Sequence, residues 1–276
     1  MTSAVTTSGT ARISGAFAKA RAAGRGALIP YLCAGDPNRA TSQVMLGAMG
    51  AAGADIIELG IPYGDPLADG PTIAAAAQRA LDGGTTIDDA LALATQAQRH
   101  GAPPILMFTY FNPVLQFGIE RFAQTLAEAA ICGAIVPDMP LEESGPIRAA
   151  FRARGLAFPL LVAPTTPPER AARIVAASDG FTYVVSRLGV TSAAKEPDFG
   201  WIASRVAALR RVSDAPLAIG FGISTSEHVA RACAVADGAI VGSALIDAYA
   251  TAHGADAVER ARAYICELHL GTVRKA

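Results

Sequence analysis

Short runs of hydrophobic residues recur along the chain, and a stretch with the spacing of an amphipathic helix follows each of them. The runs hold four to eight residues, and nearly every position in a run is apolar. Strands of a parallel sheet that is covered on both faces carry such unbroken runs, whereas half-exposed strands alternate. Eight runs are therefore predicted as strands, over 27–34, 55–61, 105–110, 133–137, 157–163, 181–186, 217–220 and 238–241.

Helical spacing fills the segments between these strands. Helices are predicted over 13–23, 41–52, 73–81, 87–99, 119–130, 142–154, 167–177, 201–212 and 226–236, with a last helical region after Ser243. Eight strand–helix units in about 250 residues favour an α/β protein built as a single (β/α)8 TIM barrel. It has a short N-terminal helix and an extra helix after the second strand.

We expect residues 1–12 to form a flexible N-terminal arm and residues 13–270 to form the barrel domain. An open, doubly wound sheet is the alternative fold. The strand number disfavours it, and the first unit lacks the G-x-G-x-x-G sequence of dinucleotide-binding sheets.

Composition narrows the classes of function. Hydrophobic residues make up 51% of the 276 residues and charged residues 17%, which excludes global disorder. The net charge of -1 does not indicate a nucleic acid or an anionic membrane as partner. The four cysteines are far apart and form no CxxC pair, which is typical of a protein in the reducing cytoplasm and gives no pattern of metal ligands. No signal peptide or membrane-spanning run is expected.

The loop after the second strand carries three carboxylates. The segment from Glu58 to Pro71 reads E-L-G-I-P-Y-G-D-P-L-A-D-G-P. Its three prolines and three glycines disfavour a helix or a strand. Catalytic groups of a barrel lie at the carboxyl ends of the strands and in the loops after them. We therefore expect Glu58 and Asp69 near the chemistry of the protein.

Each carboxylate has two interpretations. An inward-facing Glu58 is partly desolvated, which raises its pKa and makes it a proton shuttle; alternatively it pairs with an arginine or faces the helices. An ionised Asp69 can accept a hydrogen bond from a substrate N–H and stabilise positive charge. Alternatively, Asp69 is the N-cap of the helix that opens near Thr72. Asp65 is predicted to serve the turn or a partner protein.

Glycine-rich turns follow the last two strands. They read Gly220-Phe221-Gly222 and Gly242-Ser243. Glycine lets a backbone approach a ligand closely, and free N–H groups at a helix start attract anions. The loops after strands 7 and 8 are the recurrent phosphate site of the barrel, although such turns also occur without a ligand. A phosphate site with two spaced carboxylates indicates acid–base chemistry on a sugar phosphate.

Seven motifs, in order along the chain, resemble those of the tryptophan synthase alpha subunit family. They are P-Y-L-C-A-G-D-P (30–37), E-L-G-I-P-Y-G-D-P-L-A-D-G-P-T-I (58–73), Y-F-N-P-V (110–114), P-D-M-P-L-E-E-S (137–144), S-R-L-G-V-T (186–191), G-F-G-I-S (220–224) and G-S-A-L (242–245). The resemblance covers essentially the whole chain. It implies a TIM barrel that catalyses retro-aldol cleavage of indole-3-glycerol phosphate to indole and D-glyceraldehyde 3-phosphate, in tryptophan biosynthesis.

The resemblance also implies roles for residues. Glu58 is the general acid/base that protonates indole C3, and Asp69 stabilises the indole N–H. Asp65 belongs to a loop that contacts a partner subunit. The remaining implied residues bind phosphate (Gly222, Gly242, Ser243), line the substrate pocket (Tyr31, Phe108, Ile135, Tyr183, Phe221) or belong to a lid loop (Arg187, Thr191).

No cofactor or metal is implied for this chain. The expected partner is a beta subunit that carries PLP and receives indole through a tunnel, in an alpha2-beta2 complex. Cys33, Gly64 and Ser192 depart from the family pattern, which commonly has Thr, Ser and Gly there.

Three other functions stay open. The chain could be a stand-alone indole-3-glycerol phosphate lyase, or a non-catalytic protein that activates a beta subunit. An isomerase of histidine biosynthesis shares only the phosphate end, and it would carry an aspartate where the first strand here ends in Cys33-Ala34.

Overall fold

Eight strands alternate with helices in the computed structural model, which describes residues 7–186 and 197–274. All the strand pairings are parallel. The strands are β1 (Ala27–Cys33), β2 (Ile57–Gly60), β3 (Ile105–Phe108), β4 (Gly133–Ile135), β5 (Leu160–Val162), β6 (Thr182–Val185), β7 (Leu217–Gly220) and β8 (Gly238–Val241).

The strands form one sheet in the order β4-β3-β2-β1-β8-β7-β6-β5. Its two ends meet just before β5, where Gly133 bridges Ala157 in parallel. Ala157 N–H donates to the Cys132 carbonyl at 2.8 Å, and Ala134 N–H donates to the Ala157 carbonyl at 3.1 Å. A Cβ atom at Gly133 would overlap the Ala157 carbonyl oxygen, so only glycine permits this approach. The predicted barrel is confirmed, and the open sheet is wrong.

Helices surround the strands. Within the described residues they are α1 (Gly9–Ala22), α2 (Arg39–Ala52), α3 (Pro71–Asp82), α4 (Ile87–Arg99), α5 (Phe111–Phe117), α6 (Ile119–Glu128), α7 (Gly145–Arg152), α8 (Pro168–Ala177), α9 (Phe199–Arg210), α10 (Ser226–Val235), α11 (Ser243–Tyr249) and α12 (Gly254–Leu270). The predicted extra helix after β2 is present, because α3 and α4 both precede β3. No helix formed by the described residues is long and apolar enough to cross a membrane.

Three helices either begin three or more residues away from the predicted start or were not predicted. α1 begins at Gly9, inside the range predicted as an arm, because the Ser8 hydroxyl accepts the Ala11 N–H at 3.2 Å and caps the helix. α5 was not predicted. α7 begins at Gly145, three residues after the predicted start at Glu142.

Buried strand residues form the core, and every position of β1, β2 and β3 is buried. Full burial of one large aliphatic side chain contributes about 1.5–3 kcal/mol. At the amino-terminal end of the barrel, Asp237 accepts hydrogen bonds from Leu217 N–H (2.9 Å) and from the guanidinium groups of Arg21 (3.0 Å) and Arg210. These bonds join α1 and α9 to β7 and β8. The candidate active site lies at the opposite, carboxyl end of the barrel.

Candidate active site

A cavity opens at the carboxyl ends of the strands, with about 420 Å³ of empty space that includes its opening to solvent. Two carboxylates, a serine and apolar or aromatic groups form its wall, and no basic side chain of the described residues takes part. Nine of the ten residues predicted for catalysis, phosphate binding and the pocket belong to this wall. The lining residues are Tyr31, Glu58, Asp69, Ile73, Phe108, Tyr183, Phe221, Gly222, Ile223, Ile240, Gly242 and Ser243.

Glu58 projects into the cavity from β2, where it pairs in register with Tyr31 of β1 and Leu106 of β3. The residue is 1% exposed, and its Oε1 atom is buried without a hydrogen-bond partner. The structure contains no ion pair to Glu58 within the ranges it describes. Burial raises the pKa of Glu58 from its ordinary value of 4.5 to about 8. Glu58 is therefore mainly protonated near neutral pH and can donate a proton.

Asp69 reaches the same cavity from the loop between β2 and α3. Its Oδ1 atom is buried and has no hydrogen-bond partner. Burial raises the pKa of Asp69 to about 6, and a hydrogen bond from Tyr110 acts in the opposite direction. Asp69 is therefore mainly ionised near neutral pH. The interpretation as an N-cap is wrong, because Gly70 occupies the cap of α3 and no side chain makes a capping hydrogen bond there.

Tyr110 supports Asp69, and no sequence pattern indicates this contact. Its hydroxyl accepts the Ala68 N–H at 3.1 Å and hydrogen-bonds the Asp69 carboxylate. The Tyr110 ring packs against Tyr63, with centroids 5.6 Å apart, and Asn112 Nδ2 donates to the Tyr63 hydroxyl at 3.1 Å. The loop that carries Asp69 is thus fastened to the end of β3 and the start of α5.

Two aromatic pairs form opposite parts of the apolar wall. Tyr31 meets Phe108 edge to face with centroids 5.7 Å apart, and Tyr183 meets Phe221 in the same way at 5.8 Å. Each tyrosine hydroxyl lies over a glycine of the next strand, Gly60 or Gly220, where a Cβ atom would overlap it. The glycines at these two positions make room for the rings. A flat apolar ring is the kind of ligand that such walls accommodate.

The glycine-rich turns lie on the β7–β8 side of the cavity. Gly222 has φ +88°, which favours glycine, and Gly242 precedes α11, which begins at Ser243. Thr72 donates a hydrogen bond to Asp247 at 3.0 Å and so joins the start of α3 to α11. Among the residues that the structure describes, an anion here would meet backbone N–H groups and the Ser243 hydroxyl rather than a charged side chain.

The other predicted residues lie elsewhere. Ile135 is fully buried in β4, in register with Phe108 of β3. Phe108 lines the cavity at this level of the barrel, and Ile135 does not. Asp65 is exposed in the loop after β2. Arg187 and Thr191 lie outside the described residues.

Sequence reasoning missed three isoleucines of the wall. Ile73 comes from the first turn of α3, Ile223 follows Gly222, and Ile240 lies in β8. Their apolar side chains carried no signal that separates a pocket wall from ordinary core. Within 7–186 and 197–274, no group of three or more His, Cys, Asp or Glu side chains could hold a metal ion.

Comparisons with known proteins agree in family and fold. Residues 17–272 match the family model described as "Tryptophan synthase alpha chain". The tryptophan synthase alpha chain of Chloroflexus aurantiacus is 46% identical over 258 residues, which cover 93% of this chain and 97% of that protein. The alpha chain of Chloroflexus aggregans is 46% identical over 264 residues, with 95% and 98% covered.

Solved structures are similar over the same length. A chain of tryptophan synthase from Mycobacterium tuberculosis superposes with a TM-score of 0.88 at 39% identity, covering 96% of this chain and 99% of that one. The alpha subunit from Legionella pneumophila gives a TM-score of 0.85 at 32% identity, with 94% and 97% covered.

Proposed function

The chain belongs to the tryptophan synthase alpha chain family, and from this premise we propose that Glu58 and Asp69 are its two catalytic carboxylates. The alpha reaction of the family is the cleavage of indole-3-glycerol phosphate. One observation carries the proposal: two carboxyl groups share one apolar cavity, and burial holds the pKa of Glu58 at about 8 and that of Asp69 at about 6. Near pH 7 the Glu58 carboxyl group is protonated and can act as an acid, whereas the Asp69 carboxylate is an anion.

The proposed mechanism needs both states. Glu58 donates its proton to indole C3, and the ring becomes a cation that can accept the electrons of the breaking C–C bond. Asp69 accepts the indole N–H and stabilises that cation. When the bond breaks, the hydroxyl on the departing carbon loses its proton and becomes the aldehyde. Glu58, now a carboxylate, takes up that proton, so the protein ends the cycle in its starting state.

The remaining lining residues hold the substrate. We assign the indole ring to the space between the pair Tyr31–Phe108 and the pair Tyr183–Phe221. We assign the phosphate to the backbone of Gly222 and Gly242 and to Ser243. Apolar walls exclude water, and in a dry cavity the Asp69 charge acts more strongly on the ring cation.

The first test is the pH dependence of indole release from indole-3-glycerol phosphate. The rate should fall below about pH 6, where Asp69 becomes protonated, and above about pH 8, where Glu58 has lost its proton. A bell-shaped plot of kcat/KM with these two limbs is the expected result. A rate that rises steadily to pH 9 would assign the proton donor elsewhere.

The same assay separates an alpha chain that works with a partner from the stand-alone lyase and the non-catalytic activator. An alpha chain that works with a partner should release indole faster when a PLP-dependent beta subunit is added. A stand-alone lyase would turn over strongly by itself and gain nothing from the beta subunit. A non-catalytic activator would release no indole in either case; the two intact carboxylates in one cavity weigh against it.

We propose a beta subunit as the partner and place PLP there, with no cofactor in this chain. The free cysteines among the described residues suit a cytoplasmic protein. Contact is proposed at the carboxyl end of the barrel, where Leu67 is 76% exposed in the loop after β2 and Leu115 is 53% exposed on α5. The bonds from Ala68 to Tyr110 and from Asn112 to Tyr63 join these two segments. Asp65 is exposed in the same loop and belongs to this surface.

Replacing Leu115 by aspartate should weaken binding of a beta subunit at least about tenfold, because a charge would be buried in the contact. Binding can be measured by titration calorimetry. Val212→Asp is the matched control, because Val212 is 52% exposed but follows α9 at the amino-terminal end of the barrel. Equal affinities of the two variants would place the contact elsewhere.

A further inference from the structure

Phe221 has an unusual backbone conformation in the turn after β7. Its φ is +72°, in the left-handed region that bulky side chains rarely adopt, and Gly222 follows with φ +88°. Two successive residues with positive φ turn the chain sharply, and both residues line the cavity. A bulky residue keeps such a conformation only where neighbouring groups hold it.

Ser186 is one neighbouring group that contacts this turn. This buried serine follows β6, and its N–H donates to the Gly220 carbonyl at 3.0 Å, one residue beyond the last β6–β7 pair. Its hydroxyl donates a hydrogen bond to the carbonyl oxygen of Phe221. The side chain is thus fastened to the peptide unit between Phe221 and Gly222.

That peptide unit is rigid and planar. In a trans peptide the carbonyl oxygen of one residue and the N–H of the next point in opposite directions. Fixing the Phe221 carbonyl toward Ser186 therefore also fixes the direction of the Gly222 N–H. Without the hydroxyl, Phe221 could relax to the negative φ that its side chain favours, and the whole unit would rotate.

We propose that Ser186 is a positioning residue for phosphate binding, which holds the Phe221 peptide so that the Gly222 N–H meets the phosphate of the substrate. The inference rests on the proposed function, which assigns Gly222 to the phosphate. Ser186 itself is not among the residues that line the cavity.

The test is the affinity of Ser186→Ala for glycerol 3-phosphate, which carries the phosphate and lacks the indole ring. Titration calorimetry should give a dissociation constant raised about tenfold, because a hydrogen bond to a charged group is lost or misdirected. The affinity for indole alone should stay as in the wild type. Thr182→Val is the matched control, since Thr182 is a buried residue of β6 whose hydroxyl has no hydrogen-bond partner. Ser186→Thr, which keeps a hydroxyl, should bind glycerol 3-phosphate nearly as the wild type does.

A double-mutant cycle separates this role from a loss of general packing. Glycine adopts positive φ freely, so adding Ser186→Ala to Phe221→Gly should weaken glycerol 3-phosphate binding less than twofold. An equal loss in both backgrounds, or an unchanged affinity of Ser186→Ala, would overturn the proposal. A different result would refute the proposed reaction: the wild-type protein would bind glycerol 3-phosphate but release no indole.

Discussion

Glu58→Gln should lower the rate of indole release about 10²- to 10⁴-fold, which is the usual contribution of a general acid or base. Glutamine has nearly the same shape and still fills the buried position on β2, but it has no proton that can be transferred to carbon. The effect should fall on kcat, with the KM for indole-3-glycerol phosphate little changed, because the lost interaction belongs to the transition state. Steady-state kinetics near pH 7 measures both quantities.

A stability measurement checks that the variant is folded and that Glu58 titrates as the structure indicates. The folded state keeps the Glu58 proton up to about pH 8, whereas the unfolded chain loses it near the ordinary pKa of 4.5. The free energy of unfolding of the wild type should therefore fall as pH rises between these values. Glutamine does not titrate, so the melting temperature of Glu58→Gln relative to the wild type should rise over that range. Unchanged indole release in a folded variant would refute the assignment of the acid.

The order of the elements could be predicted because it depends on local patterns. Unbroken apolar runs identified all eight strands, including the short β4 and β5, since both faces of a parallel barrel strand are covered. α5 was not predicted, and its sequence contains Pro113, a residue that disfavours a helix interior. Proline is tolerated in the first turn of a helix, where its missing N–H would have no intrahelical partner, and Pro113 is the third residue of α5.

The polar contacts of the site could not be predicted, because they join residues far apart in the chain. Tyr110 reaches Ala68 across 42 positions, and Ser186 reaches Phe221 across 35. Both residues were part of recognised motifs, but no periodicity or spacing shows where a hydroxyl at a strand end will point. The same limit explains why Glu58 had two interpretations until its surroundings were known.

The different states of the two carboxyl groups follow from their positions in the fold. Glu58 lies within a strand, so the barrel itself removes water from it. Asp69 lies in a loop and is only half-buried, and the Tyr110 hydroxyl offsets part of the effect of burial on its pKa. A strand end and a following loop thus provide one neutral and one charged group within a single cavity.

Asp69→Asn is expected to lower kcat for indole release about 10²- to 10³-fold, or about 2.7–4 kcal/mol of transition-state stabilisation. The asparagine oxygen can still accept the indole N–H, so substrate binding should change less than kcat. What it lacks is the negative charge that stabilises the protonated ring. Steady-state kinetics on the wild type and the variant measures the effect.

The pH profile distinguishes this role from a loss of structure. Because asparagine does not titrate, the decline of kcat/KM below about pH 6 should disappear in the variant, while the decline above about pH 8, which belongs to Glu58, should remain. Asp214→Asn, which alters an exposed aspartate before β7, should keep both limbs and the wild-type rate. If the low-pH limb persists in a folded Asp69→Asn variant, another group must carry the negative charge. That other group would need a pKa near 6. Among the described lining residues only Glu58 and Asp69 are carboxylates, so the low-pH limb of the profile is a direct test of Asp69.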